Sequence, residues 1–478
     1  MFHPDFNEFR KLAGKGNLIP VYKEILADME TPVSAFGRID SSPYAFLFES
    51  VEGGEKIGRY SFLAANPSLV FEGRDAVGLA RLKEKMRGYR PVHIQDLPRF
   101  YGGLVGYMGY DMVRSFEDIP DSKPDKLNLP SYRFMFVDTM LVFDHIKHTI
   151  KVVSCVDTEK GGGTLRAKYS RSCRNIDNLI GALKSRKKKN LRRAAAKPAQ
   201  VNMKSNFTKE EFGSIVERAK EYIRAGDVIQ VVLSQRFELD VKAEPLDIYR
   251  ALRVINPSPY MYFMRLGELV IAGSSPEILV RNEDGMVELR PIAGTRQRGR
   301  DEAEDSRLEK ELLSDPKEKA EHIMLVDLGR NDIGRVCEYG SVKTEELMVI
   351  EKYSHVMHIV SEIRGKLKKG MDSFDVFAAC FPAGTVSGAP KVRAMEIIDE
   401  LENVKRGVYA GSVGYFSFQG NMDMAITIRT ILIKDNKAFI QAGAGIVADS
   451  VPENEYKETL NKARAMIKAV EMAERGLE

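Results

Sequence analysis

Apolar positions fall into two spacings along the chain, and the spacing changes several times. Residues 45–48, 61–64 and 135–143 are short apolar runs bounded by glycine and proline, which predicts a β-rich first third. Near Thr208 the period lengthens. Thr208 and Glu211 form a Ser/Thr-x-x-Glu capping box behind apolar Phe207, and Phe212, Ile215, Val216, Ala219 and Ile223 follow at helical spacing up to a stop at Gly226. Strands are predicted over 228–237 and 270–272, followed by the loop Gly273-Ser274-Ser275-Pro276-Glu277. Helices are predicted from Pro316, over 392–401 and from Pro452, the last continuing amphipathically over 463–472. Periodicity alone therefore yields an α plus β protein.

A faint internal echo links residues 101–112, YGGLVGYMGYDM, to 409–424, YAGSVGYFSFQGNMDM, as two related strand units in opposite halves would. One stretch stands apart: residues 184–197, KSRKKKNLRRAAAK, are basic and poor in large apolar side chains, so they cannot bury much surface. The expected organisation is a β-rich N-terminal region over 1–183, a basic linker or exposed loop over 184–205, and a catalytic domain over 206–478.

Composition narrows the class. With 44% hydrophobic residues among 478, the chain has ample material for large cores. No run approaches the roughly 20 apolar residues of a membrane helix, and the start lacks the apolar segment of a signal peptide, so a cytoplasmic location is expected. A net charge of +4 is nearly balanced, which gives no reason to expect nucleic acid or a membrane as partner. Cys155, Cys173, Cys337 and Cys380 lack C-x-x-C spacing, so reduced thiols are expected rather than disulfides or zinc.

Two Glu-x-x-Glu pairs carry the candidate chemistry. Glu318 with Glu321, and Glu455 with Glu458, each lie near the start of a predicted helix, where residues three apart share a face. Four carboxylates on two faces, with positions left for water or substrate, suit Mg²⁺. A glycine-rich turn over 441–450 and a small-residue loop over 381–391 are expected to present backbone N–H groups to an anion.

Four long blocks then identify a family. PIAGTRQRG from Pro291, EHIMLVDLGRND from Glu321, FPAGTVSGAPKVRAM from Phe381 and QAGAGIVADSVPENEYKETLNKA from Gln441 stand in family order, and over residues 20–470 the chain resembles the chorismate-utilising enzymes, within them the chorismate-binding large subunit of anthranilate synthases. The resemblance implies a mixed α/β fold of large, mostly antiparallel sheets packed together with helices outside. It implies that Glu321 and Glu458 bind Mg²⁺ directly while Glu318 and Glu455 hold its waters. Arg429 and Tyr409 would grip the enolpyruvyl carboxylate with help from amides near Gly443 and Gly445, His358 would protonate the departing C4 hydroxyl, and Thr385, Gly294 and Thr295 would position the substrate.

Two positions choose the branch. Aminodeoxychorismate synthases typically place lysine where Ala293 stands, and isochorismate and salicylate synthases place it where Gln230 stands; neither residue here offers a nucleophile or a base. Direct attack by ammonia at C2 and elimination of pyruvate remain, which is the reaction that forms anthranilate. No Gly-x-Cys-x-Gly elbow is present to release ammonia from glutamine, so a separate glutamine amidotransferase subunit, and with it a hetero-oligomer, is implied. Glu49, Ser50, Lys56, Pro259, Tyr260 and Met261 resemble the family's L-tryptophan feedback site, with Leu47-Phe48 departing slightly from the usual Leu-Leu.

Overall fold

A computed structural model describes residues 1–40, 42–50, 58–185, 203–353 and 356–477. Their apolar runs are assembled into two antiparallel sheets, of twelve and ten strands. In the larger sheet the strand order is Leu18–Leu26, Thr149–Asp157, Thr139–Asp144, Tyr60–Ala65, Tyr44–Glu49, Tyr260–Leu266, Leu269–Ser275, Thr430–Lys434, Lys437–Ile446, Gln230–Asp240 and Gly388–Ala389, with Met203–Ser205 also paired to Gln230–Asp240. The smaller runs Ile292–Gln297, Val356–Lys366, Met286–Leu289, Ile278–Glu283, Met422–Ile426, Ser412–Ser417, Gly103–Met108, Tyr132–Val137 and Leu69–Gly73, with Lys343–Lys352 beside Val356–Lys366. Both sheets contain strands from before residue 183 and from after residue 206.

The larger sheet is buried on both faces, and alternate residues sort accordingly. Phe46, Phe62, Tyr262, Ile271 and Leu432 join the core shared with the smaller sheet. Their chain neighbours Leu47, Leu63, Phe263, Ala272 and Ile431 pack instead with Phe36, Ile176, Leu252 and Met466 from the outer helices. Double burial explains why these strands read as continuous apolar runs rather than alternating ones.

Several predicted elements stand close to their expected bounds. The helix Lys209–Arg224 has its capping box formed by Thr208 and Glu211, and Gly226 follows at φ +86. Residues 135–143, expected as one strand, are two: Tyr132–Val137 pairs in the smaller sheet, and after Asp138 the chain enters the larger as Thr139–Asp144. A run of apolar residues records burial but not the direction of the backbone, so it cannot show that a strand changes sheets.

The echoing segments prove to be neighbours, since Gly103–Met108 pairs with Ser412–Ser417 and Gly106 faces Gly414. A Cβ on either glycine would come within 2.0 Å of a carbonyl oxygen on the strand beyond it. The basic tract begins at Lys184, the last residue of the helix Leu165–Lys184; residues 186–202 lie outside those described. Cys155, Cys337 and Cys380 are buried free thiols, and Cys173 is half-buried and free. Among the described residues no helix is long and apolar enough to cross a membrane.

Candidate active site

The site lies on a seam where the chain passes between the sheets. After Leu269–Ser275 in the larger sheet, Pro276 and Glu277 lead into Ile278–Glu283 in the smaller; Thr427, Ile428 and Arg429 make the return from Met422–Ile426 to Thr430–Lys434. The two crossings are tied together. The Ile426 N–H donates to the Glu277 carbonyl at 3.0 Å, and the Ser274 N–H to the Arg429 carbonyl at 3.1 Å. Arg429 turns at φ +51 and donates through Nη1 to the Lys462 carbonyl at 3.3 Å. Burial holds its guanidinium below the ordinary value, opposed by Tyr409 and Glu458, which places all three groups together.

Two helices bring the carboxylates to this seam. Pro316–Gly334 starts with proline in its first turn and Asp315 accepting from the Lys317 and Glu318 N–H groups, so Glu318 and Glu321 emerge in the first two turns. Pro452–Glu474 starts likewise with proline and bears Glu455 and Glu458. Glu318 meets Arg296 Nη1 at 3.1 Å, Glu321 accepts from the Gln230 amide at 3.0 Å, and Glu458 meets Lys462 Nζ at 2.7 Å. Burial raises the Glu455 carboxyl and the Glu458 charge adds to this, while the Ser450 hydroxyl, Lys317 and Lys462 oppose it. Lys317, at the start of one helix, is near enough to Glu455, at the start of the other, to pull its carboxyl down.

Among the described residues no three carboxylate, imidazole or thiolate groups form a ready metal-holding cluster. The donor set nonetheless fits a hard divalent cation: all its atoms are carboxylate oxygens, and both the burial that chiefly raises Glu455 and the Glu458 charge that adds to it are what a bound cation would offset.

On the facing strand, pairing between Ile292–Gln297 and Val356–Lys366 slips one residue between Ala293 and Thr295. Gly294 occupies the bulge at φ +67, and a Cβ there would come within 3.0 Å of Leu312 and 3.1 Å of a Glu318 oxygen. Its carbonyl accepts from His358 Nδ1 at 3.0 Å, with the Thr295 hydroxyl 3.1 Å from the same nitrogen. That bond sets the proton on Nδ1 and leaves Nε2 as the exchangeable position. Burial, reinforced by Arg429, holds His358 below its ordinary value, so it is neutral near pH 7.

The glycines near residue 443 are not in a turn. They belong to the strand Lys437–Ile446, with Gly443 opposite Ser234 and Gly445 opposite Val232. What they supply is clearance: a Cβ would lie 2.8 Å from the Tyr409 hydroxyl at Gly443 and 2.7 Å from the Gln230 amide nitrogen at Gly445. Glycine in a regular strand has the same letter as glycine in a turn, and the neighbours that exclude a side chain come from remote segments. The loop 381–391 folds as a short 3₁₀ turn, Gly384–Val386, and the strand Gly388–Ala389, which pairs Ala389 with Gln230. Ala293 is buried at the foot of the bulge.

Glu277 is a further member of the site that no sequence motif marks. Burial pushes its carboxyl up to about 8, against the opposing pull of the Thr385 hydroxyl and the Lys462 ammonium, so it carries a proton at neutral pH. The available signal was a glutamate placed directly before the apolar run Ile278-Leu279-Val280. Lys462 was also passed over; it joins Glu458 to the Gly443 carbonyl at 3.0 Å.

A second, open cavity of about 440 Å³ is lined by Glu49, Ser50, Pro259, Tyr260 and Met261, together with Arg99, Arg281, Tyr415 and Asp423. Lys56, expected with them, lies outside the described residues. Asp423 accepts from Tyr260 at 3.0 Å, Arg281 at 3.1 Å and Arg99 at 3.3 Å. Buried Glu49 accepts from the Tyr249 hydroxyl at 2.6 Å and pairs with Arg253 at 3.2 Å.

The chain is similar to known proteins over nearly its whole length. Residues 44–468 match the model of the family described as chorismate binding enzyme. The chain is 52% identical to anthranilate synthase component 1 of Aquifex aeolicus, covering 98% of both chains, and 47% identical to that of Pseudomonas aeruginosa, covering 98% of this chain and 99% of the relative. Among solved structures, anthranilate synthase component I from Streptococcus pneumoniae superposes with a TM-score of 0.78 at 38% identity, covering 92% of this chain and 98% of that one. The menaquinone-specific isochorismate synthase of Escherichia coli shares the fold at 20% identity, with a TM-score of 0.71 over 97% of this chain and 98% of that one.

Proposed function

The chain belongs to the chorismate-binding enzymes, and on that premise we propose that it converts chorismate and ammonia to anthranilate and pyruvate, the first step of tryptophan biosynthesis. The observation that carries this reading is the Gln230 amide, which donates to Glu321 at the edge of the carboxylate site. Where a water-activating lysine would stand there is a neutral amide committed to a carboxylate, and Ala293 offers no amine for covalent attack.

Mg²⁺ would be held by Glu321 and Glu458, with Glu318 and Glu455 on its waters; when bound it neutralises and orients the ring carboxylate. The chain's own groups do the rest. Arg429 and Tyr409 grip the enolpyruvyl carboxylate, and the clearance at Gly443 lets it approach. Glu277, protonated at neutral pH, donates to the departing C4 hydroxyl. Neutral His358, fixed by the Gly294 carbonyl, orients that end of the ring through Nε2, with Thr385 and Thr295 positioning. Ammonia comes from glutamine through a separate amidotransferase subunit, in a hetero-oligomer working in the cytoplasm. The 440 Å³ cavity takes L-tryptophan as feedback inhibitor: it has the size for an indole, and buried Glu49 supplies a partner for an ammonium group.

Purified chain incubated with chorismate, Mg²⁺ and ammonium should develop anthranilate fluorescence, suppressed by L-tryptophan. Accumulation of an aminated but non-aromatic intermediate, or of isochorismate, would overturn the assignment.

A further inference from the structure

Behind the reaction seam lies a buried ion pair that no step above employs. Arg406 is 2% exposed and Glu402 is 3% exposed. The guanidinium donates from Nε and Nη2 to the two Glu402 oxygens at 3.0 and 2.6 Å, from Nη1 to the Val386 carbonyl at 2.7 Å, and from Nη2 to the Val232 carbonyl at 2.7 Å. Its carbon sits 5.5 Å from the centre of the Tyr409 ring and 4.7 Å from that of Tyr110. Glu402 is fixed in turn, accepting from both the N–H and the hydroxyl of Ser234 at 2.8 Å.

The partners of this one side chain come from three elements that each carry a site residue. Val386 follows Thr385 in the 3₁₀ turn, Val232 stands two residues after Gln230 and opposite Gly445, and Tyr409 is itself the proposed carboxylate grip. A planar fork can hold two backbone carbonyls and a carboxylate in fixed relation, which an ammonium on a flexible stem cannot do. Buried ion pairs seldom add net stability over a well-packed apolar replacement, so this one's contribution lies in the geometry it imposes.

We propose that Arg406, locked by Glu402, is a positioning residue that sets Tyr409, Thr385 and Gln230 in register for chorismate. The inference rests on the reading of the seam as the chorismate site and goes beyond it by naming what holds that site in shape.

The test uses the full chain carrying Arg406→Met with Glu402→Leu, beside Arg406→Lys and the volume-preserving Glu402→Gln, with ammonium-dependent anthranilate formation, chorismate binding and thermal unfolding measured for each. The double variant is expected to melt within about 5 °C of the wild type. Its kcat/KM should fall roughly a hundredfold, mostly through KM, because misplacement of a gripping group by about 1 Å has an effect of that order. Arg406→Lys should not restore it, and Glu402→Gln should raise KM about tenfold. A folded double variant with kcat/KM within about threefold of wild type would overturn the proposal. So would a loss that disappears on cooling in step with the folded fraction. Should the double variant fail to fold, an unchanged KM in Glu402→Gln overturns it equally. Failure of the wild type to form anthranilate would strike the reading of the seam instead.

Discussion

The open cavity beside Tyr260 and the carboxylate seam are built on the same two strands, Ile278–Glu283 and Met422–Ile426, yet they handle charge in opposite ways. In the cavity, Asp423 is surrounded by Arg99, Arg281 and Tyr260, and 440 Å³ is already clear beside it. At the seam, each carboxylate is held by a different local partner: Glu318 by Arg296, Glu321 by Gln230, Glu458 by Lys462. In the first the charges already satisfy one another within a single cluster beside open space. On the proposed function the second would trade two ion pairs and a hydrogen bond for a cation and a substrate, which would couple its assembly to binding.

The largest effect should come from removing what the seam has to assemble. Glu321→Gln or Glu458→Gln is expected to lower turnover by about a thousandfold, the equivalent of several kcal/mol, while leaving the melting profile and tryptophan binding near wild type. Chelation of Mg²⁺ should do the same reversibly, and normal turnover in both variants would dissolve the contrast between the two regions. Glu277→Gln comes next, with a loss of about a hundredfold in kcat.

The pH dependence of Glu277 has a definite sign. Its carboxyl is raised to about 8, so the proton-donating form prevails below that pH and the wild-type rate should fall as pH rises through it. The stability linked to this group is fully present below its ordinary value of 4.5 and is lost as pH rises through about 8; the glutamine variant should therefore resist unfolding at pH 9 better than wild type. Melting curves at pH 6 and 9 check this separately from activity.

On the cavity side, Glu49→Gln should weaken L-tryptophan about tenfold, as loss of a charged partner in a buried site does, with turnover unaltered; calorimetric titration decides it. The smallest effect is expected for Gln230→Ala, which frees Glu321 from one hydrogen bond and should lower the apparent Mg²⁺ affinity by about tenfold or less in a magnesium titration of the rate.

Much of this arrangement was legible beforehand. The helix starts at Thr208, Pro316 and Pro452 carry local caps or prolines, and local signals act over a few residues, so they survive any tertiary context. The candidate residues that the family resemblance supplied, such as Gly294, His358 and Arg429, stand close to one seam. The errors share a cause. The split of 135–143 depends on which strands its two halves pair with, the place of glycines 443 and 445 on a strand far off in the chain, and the proton held by Glu277 on burial, none of which has a local signature.

By itself, the sequence determined the family: four long blocks, from Pro291, Glu321, Phe381 and Gln441, mark a chorismate-binding enzyme, with a neutral residue at each branch position. Only the tertiary structure decided which group holds a proton to donate at neutral pH and which glycines make room, and it alone joined Arg406 to the turn that carries Val386 and the strand that carries Val232. Residue type sets what a group can do; desolvation and partners set which state it occupies, and both are properties of the packed chain.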